Sequence, residues 1–160
     1  MRVLIVYESK YGNTKKVAET IGEGIIEEGN EPDVTHVKEV EEETVKDYDI
    51  ILIGSPTYVG SHAKSIKKFI KSLVNLPLEG KSFAVFDTHM GGKGGGFLRN
   101  AVKKMEEQII KTIPSLKKVT SGLAVEVKGF KGPIADGELP NCKNFGRKIC
   151  SKTLKIAPKE

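Results

Sequence analysis

Val3-Leu4-Ile5-Val6-Tyr7-Glu8-Ser9-Lys10-Tyr11-Gly12-Asn13-Thr14 joins an apolar run to a turn of hydroxyl, amide and glycine groups. Val17, Ala18, Ile21 and Ile25 follow at the spacing of one helix face. The stretch reads strand, turn, helix. Such a junction aims free backbone N–H groups and the positive helix end at one point. An anion, most often a phosphate, fits there. Ser9 and Thr14 add hydroxyl donors, and Gly12 permits positive φ and close approach to a ligand. Asn13 or Thr14 can cap the helix. Plain turn and cap chemistry selects the same residue types, so the turn alone leaves both readings open. It carries neither a Gly-x-Gly-x-x-Gly fingerprint nor a Gly-Lys-Ser/Thr ending, which argues against dinucleotide and nucleoside-triphosphate loops.

Working outward, the first helix stops at Gly29-Asn30, and Asp33-Val34-Thr35-His36-Val37 alternates as a short edge strand. Residues 38–46 form a charged connector. Tyr48-Asp49-Ile50-Ile51-Leu52-Ile53-Gly54 is almost continuously apolar, as in a parallel strand buried on both faces. Ser55-Pro56-Thr57-Tyr58-Val59-Gly60 reads as a loop. Ile66, Phe69, Ile70 and Leu73 then mark a helix that ends before Pro77. Lys81-Ser82-Phe83-Ala84-Val85-Phe86-Asp87 is a further strand, followed by the glycine-dense Thr88-His89-Met90-Gly91-Gly92-Lys93-Gly94-Gly95-Gly96. Phe97, Leu98, Ala101, Val102, Met105 and Ile109 give the next helix face. Residues 119–127 supply a last strand, residues 129–137 a Gly/Pro-rich loop, and Cys142, Phe145, Ile149 and Cys150 the inner face of a final helix. Strands alternating with helices predict an α/β fold, a doubly wound five-stranded parallel sheet. The expected order is 2-1-3-4-5, with a ligand at the switch between strands one and three. Residues 1–160 are expected to form one domain.

A hydrophobic content of 38% and a charged content of 29% suit a globular domain, and no apolar run is long enough to span a bilayer. The first residues lack the apolar helix and small-residue cleavage site of a signal peptide, so the expected location is cytoplasmic. Cys142 and Cys150 lie eight apart, about 12 Å along a helix, beyond the roughly 7 Å reach of a disulfide. They read as structural thiols, and no metal-ligand spacing occurs. The net charge of +5 hides a polarity: residues 1–60 hold 6 Lys+Arg and 13 Asp+Glu, residues 61–160 hold 20 and 8. The split suits either an oriented partner or ordinary solvated helix faces. The lysines are not interleaved with aromatics as in single-strand binders, which sets nucleic acid aside.

The loops after strands one, three and four emerge at one carboxyl edge. They are residues 9–14, 55–60 and 87–96, and each carries Gly with Ser or Thr. The first suits a phosphate. The second offers Tyr58 as a flat stacking face, or as a mere cover for the sheet end. The third offers Thr88, His89 and many N–H groups, with His89 read as a solvated loop histidine. Together they suit a mononucleotide with a large aromatic head.

On these residues the chain resembles the flavodoxin family over essentially its full length. Ser9-Lys10-Tyr11-Gly12-Asn13-Thr14 is similar to the family's FMN phosphate loop, Thr/Ser-x-Thr-Gly-Asn-Thr, with Tyr11 in place of a Thr. Ser55-Pro56-Thr57-Tyr58-Val59-Gly60 resembles the ring-binding loop, in the Pro-Thr-x-x-Gly form of flavodoxin-like quinone reductases. The resemblance implies FMN, held at its phosphate by Ser9, Lys10, Tyr11, Gly12, Asn13 and Thr14. It implies ring contacts from Pro56, Thr57, Tyr58 and Gly60 on one side and from Thr88, His89, Gly91 and Gly92 on the other. It implies an electron carrier between a reductase and an acceptor protein, with an NAD(P)H-dependent quinone or FMN reductase as the alternative. A nucleic-acid-binding or regulatory module without flavin rests only on the basic half. The chain has no Trp, whereas many flavodoxins stack one on the flavin.

Overall fold

Each apolar run forms a strand, and the alternation of side chains loads both sheet faces with aliphatic groups. The computed structural model describes residues 1–91 and 100–156. Its strands are β1 (Arg2–Tyr7), β2 (Glu31–His36), β3 (Ile50–Tyr58), β4 (Ser61–His62), β5 (Ser82–Met90), β6 (Lys117–Lys118) and β7 (Leu123–Val127). Its α-helices are α1 (Asn13–Glu27), α2 (Lys64–Ser72), α3 (Asn100–Thr112) and α4 (Glu138–Ile156). Short 3-10 turns occupy much of the charged connector, at Val37–Glu39 and Glu42–Asp47.

The parallel sheet runs β2-β1-β3-β5, and β6 and β7 both pair with β5 on its far side. With these two pieces counted as one strand, the order is the expected 2-1-3-4-5. Just before β7, Gly122 lies tight against Val85 and Val102, where a Cβ would collide with both. Phe97 and Leu98, expected on the third helix, lie outside the described residues.

Leu4, Val6, Ile51, Ile53, Phe83 and Val85 face α2 and α3 across one core. Val3, Ile5, Ile50, Leu52, Ala84 and Phe86 face α1 and α4 across the other. Burial on both faces is what a parallel sheet requires. Cys142 and Cys150 are buried free thiols of α4, and burial pushes Cys142 up to about 12 and raises Cys150.

Helices α1 and α4 pack backbone against backbone. A methyl group on Gly24 would overlap the Lys143 carbonyl, and one on Gly146 would overlap the Ile21 carbonyl. Only glycines at both positions let the two backbones touch. At the rim of this contact Glu27 takes Lys143 at 2.6 Å and also pairs with Arg147. Both cations hold the Glu27 carboxyl below its ordinary value.

Two strands, β3 and β5, run further than expected, β5 through Thr88 and His89 to Met90. β3 continues through Ser55, Pro56 and Thr57 to Tyr58, so the second expected loop is largely strand. Its ladder with β1 ends at Tyr7 and Gly54, leaving Pro56 with no neighbour on that side for its missing N–H to disturb. The chain then reverses at Val59 and Gly60 to pair with β4. Positive φ at both, 47° and 74°, is the mark of a two-residue type I′ hairpin. For β-branched Val59 that conformation costs on the order of 1–3 kcal/mol.

Candidate functional site

The carboxyl ends of β1, β3, β5 and β7 surround a cavity of about 650 Å³. Ten sequence-predicted residues line it. Ser9, Lys10, Tyr11, Asn13 and Thr14 come from the turn after β1; Pro56, Thr57 and Tyr58 from the end of β3; Thr88 and His89 from the end of β5. Gly12 lies within the first turn, whereas Gly60 and Gly91 flank the site without lining it. Gly92 and the glycines after it lie outside the described residues. The structure adds Val59, Met90, Val127, Gly129 and Phe130 to the lining. Sequence reasoning missed Phe130, although it lies between glycines in a loop that leaves the same sheet edge.

The first turn of α1 is poised for an anion. Gly12 at its N-cap has φ 94°, and no side chain caps the helix. The helical ladder begins with Lys16 N donating to Gly12 O at 3.0 Å, so the N–H groups of Asn13, Thr14 and Lys15 precede it. The expected cap by Asn13 or Thr14 is therefore not made. Thr14 Oγ1 instead lies 2.8 Å from Thr88 Oγ1 and ties the turn to β5. Ser9 Oγ accepts from Gly12 N at 3.1 Å, which closes the turn on itself.

Glu8 anchors that turn from behind. Its Oε1 accepts from Ser9 N at 3.2 Å and lies 3.2 Å from His36 Nε2, while Ser65 Oγ donates to Oε2 at 2.6 Å. One carboxylate thus links the turn after β1 to the end of β2 and the start of α2.

The flanks are aromatic. Tyr58, at the end of β3, is 43% exposed, and Phe130, in the loop after β7, is 77% exposed. Partial burial, then the nearby Glu8 carboxylate, raises the Tyr58 phenol, which stays neutral and able to donate.

His89 departs from its expected solvated state. It is 4% exposed, and its Nδ1 lies 3.1 Å from Oδ1 of the fully buried Asp87. Thr57 Oγ1 donates to Asp87 Oδ2 at 3.3 Å. Burial raises the Asp87 carboxyl, and His89 beside it pulls the other way. Nε2 of His89 is buried and has no hydrogen-bond partner among the described residues.

A doubly wound domain with an uncapped helix end, hydroxyls and aromatic walls around one cavity defines a class: a nucleotide-type ligand site at the switch of a parallel sheet. The family model described as "Flavodoxin domain" matches residues 4–132. A flavodoxin from Clostridium saccharobutylicum is 34% identical over 163 residues, covering 98% of this chain and 99% of the relative. This chain belongs to the flavodoxin family. A flavodoxin from Aquifex aeolicus is 36% identical over 99 residues, which is 59% of this chain and about half, 53%, of the relative's length. An NAD(P)H dehydrogenase (quinone) from Archaeoglobus fulgidus is 27% identical over 188 residues, covering 97% and 98%. Among solved structures, a flavodoxin from the domain Archaea superposes with TM-score 0.80 at 26% identity, covering 96% of this chain and 99% of its own.

FMN is the cofactor of this family, and the residues present fit it. The uncapped turn of α1 suits the phosphate, the Tyr58 and Phe130 faces suit a flat ring, and the unmatched His89 nitrogen suits a polar ring edge. Among the described residues, no group of three or more His, Cys, Asp or Glu is placed to hold a metal, and no helix is long and apolar enough to cross a membrane.

Proposed function

We propose that this chain is a cytoplasmic FMN-dependent electron carrier that passes electrons between a reductase and an acceptor protein. The observation that carries the reading is the uncapped first turn of α1, which opens onto a cavity walled by Tyr58 and Phe130. The chemistry FMN supplies is the uptake and release of one or two electrons; the protein supplies binding, orientation and electrostatics.

Ser9, Lys10, Tyr11, Gly12, Asn13 and Thr14 hold the phosphate, through first-turn N–H groups and hydroxyls. Pro56, Thr57, Tyr58 and Gly60 meet the ring from the β3–β4 hairpin. Thr88, His89 and Gly91 meet it from the end of β5, and Gly92 belongs to the same proposed set. Phe130 adds a wall from the loop after β7. Exposure of Phe130, Tyr58 and Val59 leaves the rim of the site open to a protein partner.

The test is the visible absorption of the untagged protein, followed by anaerobic stopped-flow mixing with NADH and NADPH. A flavin spectrum that dithionite or a flavoprotein reductase bleaches, but that nicotinamides bleach slowly or not at all, is the expected result. Saturable bleaching by a nicotinamide at about ten per second or faster, the range of ordinary turnover, would make the chain a reductase instead.

A further inference from the structure

We infer that Asp87 and His89 form a fixed pair that presents Nε2 of His89 as a hydrogen-bond acceptor to the imide N–H of the flavin ring. The inference rests on the FMN reading and names what its ring contact discriminates.

The pair is built at the end of β5. Residues 87 and 89 share one face of the strand, two apart. Asp87 is fully buried and its Oδ1 lies 3.1 Å from His89 Nδ1. Its other oxygen is engaged by Thr57 Oγ1, so the carboxylate cannot turn away without breaking a second contact. With Asp87 ionised and the imidazole neutral, the carboxylate takes the Nδ1 proton in a hydrogen bond and Nε2 is the acceptor. Nε2 is buried and has no partner among the described residues, yet His89 lines the cavity. Buried polar atoms are satisfied as a rule, so an exception beside a binding cavity points to the ligand as the missing partner.

The isoalloxazine ring has one N–H in its oxidised form, the imide between two carbonyls. It is the donor that an imidazole acceptor selects. His89 therefore touches the ligand, and Asp87 is a positioning residue that acts through it. Neither the aromatic walls nor the helix end can read this group, because stacking and phosphate binding are blind to it.

The probe is FMN against its 3-methyl derivative, in which that N–H is replaced. Wild type is expected to prefer FMN by about tenfold or more, the scale of one buried hydrogen bond and its unmet partner. His89→Ala should erase the preference, and His89→Gln should restore part of it through its amide oxygen. Asp87→Asn should reduce the preference while 15N spectra show the imidazole proton shared between Nδ1 and Nε2. In uniformly 15N-labelled wild type, which has three histidines, the His89 Nε2 signal should move on adding FMN and stay on adding the 3-methyl form.

The wild-type spectrum decides the matter even where a variant does not fold. Quenched flavin fluorescence with an unmoved Nε2 signal overturns the contact and leaves the FMN reading standing. An equal preference in wild type and His89→Ala does the same. Flavin fluorescence that stays unquenched in wild type overturns the FMN reading and the contact together.

Discussion

Riboflavin differs from FMN only by the phosphate, so it isolates the contribution of the turn after β1. Three first-turn N–H groups, those of Asn13, Thr14 and Lys15, stand ahead of the helical ladder. Riboflavin leaves them to whatever water reaches them, while FMN gives them charged acceptors. Counting only two of them at about 1.5 kcal/mol each gives about 3 kcal/mol, on the order of a hundredfold in Kd. The helix dipole adds roughly 0.3–1 kcal/mol in the same direction. Quenching of flavin fluorescence during titration reads both constants. Gly12→Ala supplies the internal control. A side chain at φ 94° strains the turn by about 1–2 kcal/mol, so FMN binding should weaken while riboflavin binding barely moves. Equal affinities of the wild-type protein for the two ligands would refute the phosphate assignment.

Three further outcomes are expected. Tyr58→Ala should weaken FMN and riboflavin by the same factor, since stacking is worth about 0.5–1.5 kcal/mol beyond area burial; a titration that shows no change would leave Tyr58 as a cover for the sheet end. Gly146→Ala should lower the urea midpoint by the equivalent of about 1–3 kcal/mol, because overpacking outweighs the roughly 1 kcal/mol gain in helix propensity, and an unchanged midpoint would contradict the α1–α4 contact. Cys142 should resist thiol reagents in the folded state and react on unfolding. Its folded thiol, at about 12, keeps its proton where the unfolded one, at the ordinary 9.0, loses it. The stability from this group is therefore full below about pH 9 and lost as pH climbs towards 12, which pH-dependent urea melts can follow.

Much of the site was legible because the carboxyl edge of a parallel sheet is predictable from strand order alone. Once residues 3–7, 50–54 and 82–87 were strands, the turns holding Ser9, Thr57 and Thr88 had to meet. What stayed hidden came from distances along the chain. Phe130 enters the cavity through a loop whose path depends on β7, and nothing in its local composition separates it from any exposed loop aromatic. His89 looked solvated because glycines follow it, but β5 runs through it to Met90 and carries it under the cavity beside Asp87. Pro56 hid the extension of β3, since proline ordinarily argues against a strand; the absence of a β1 neighbour at that height removes the objection. Nothing local showed that the last strand comes in two pieces, or that Gly122 is crowded by Val85 and Val102, since both are tertiary facts.

The backbone contact of α1 with α4, made at Gly24 and Gly146, sets a timetable for the newborn protein. Glu27 and Arg147, which close the rim of that contact, are 120 residues apart. Chains leave the ribosome from the amino end, so the turn after β1 and the helix it opens are made well before the helix that packs on them. Until α4 has emerged, the side of α1 that carries Ile21 and Gly24 is uncovered. A chain cut short before residue 138 retains every residue that lines the cavity but lacks the helix that covers that side of α1.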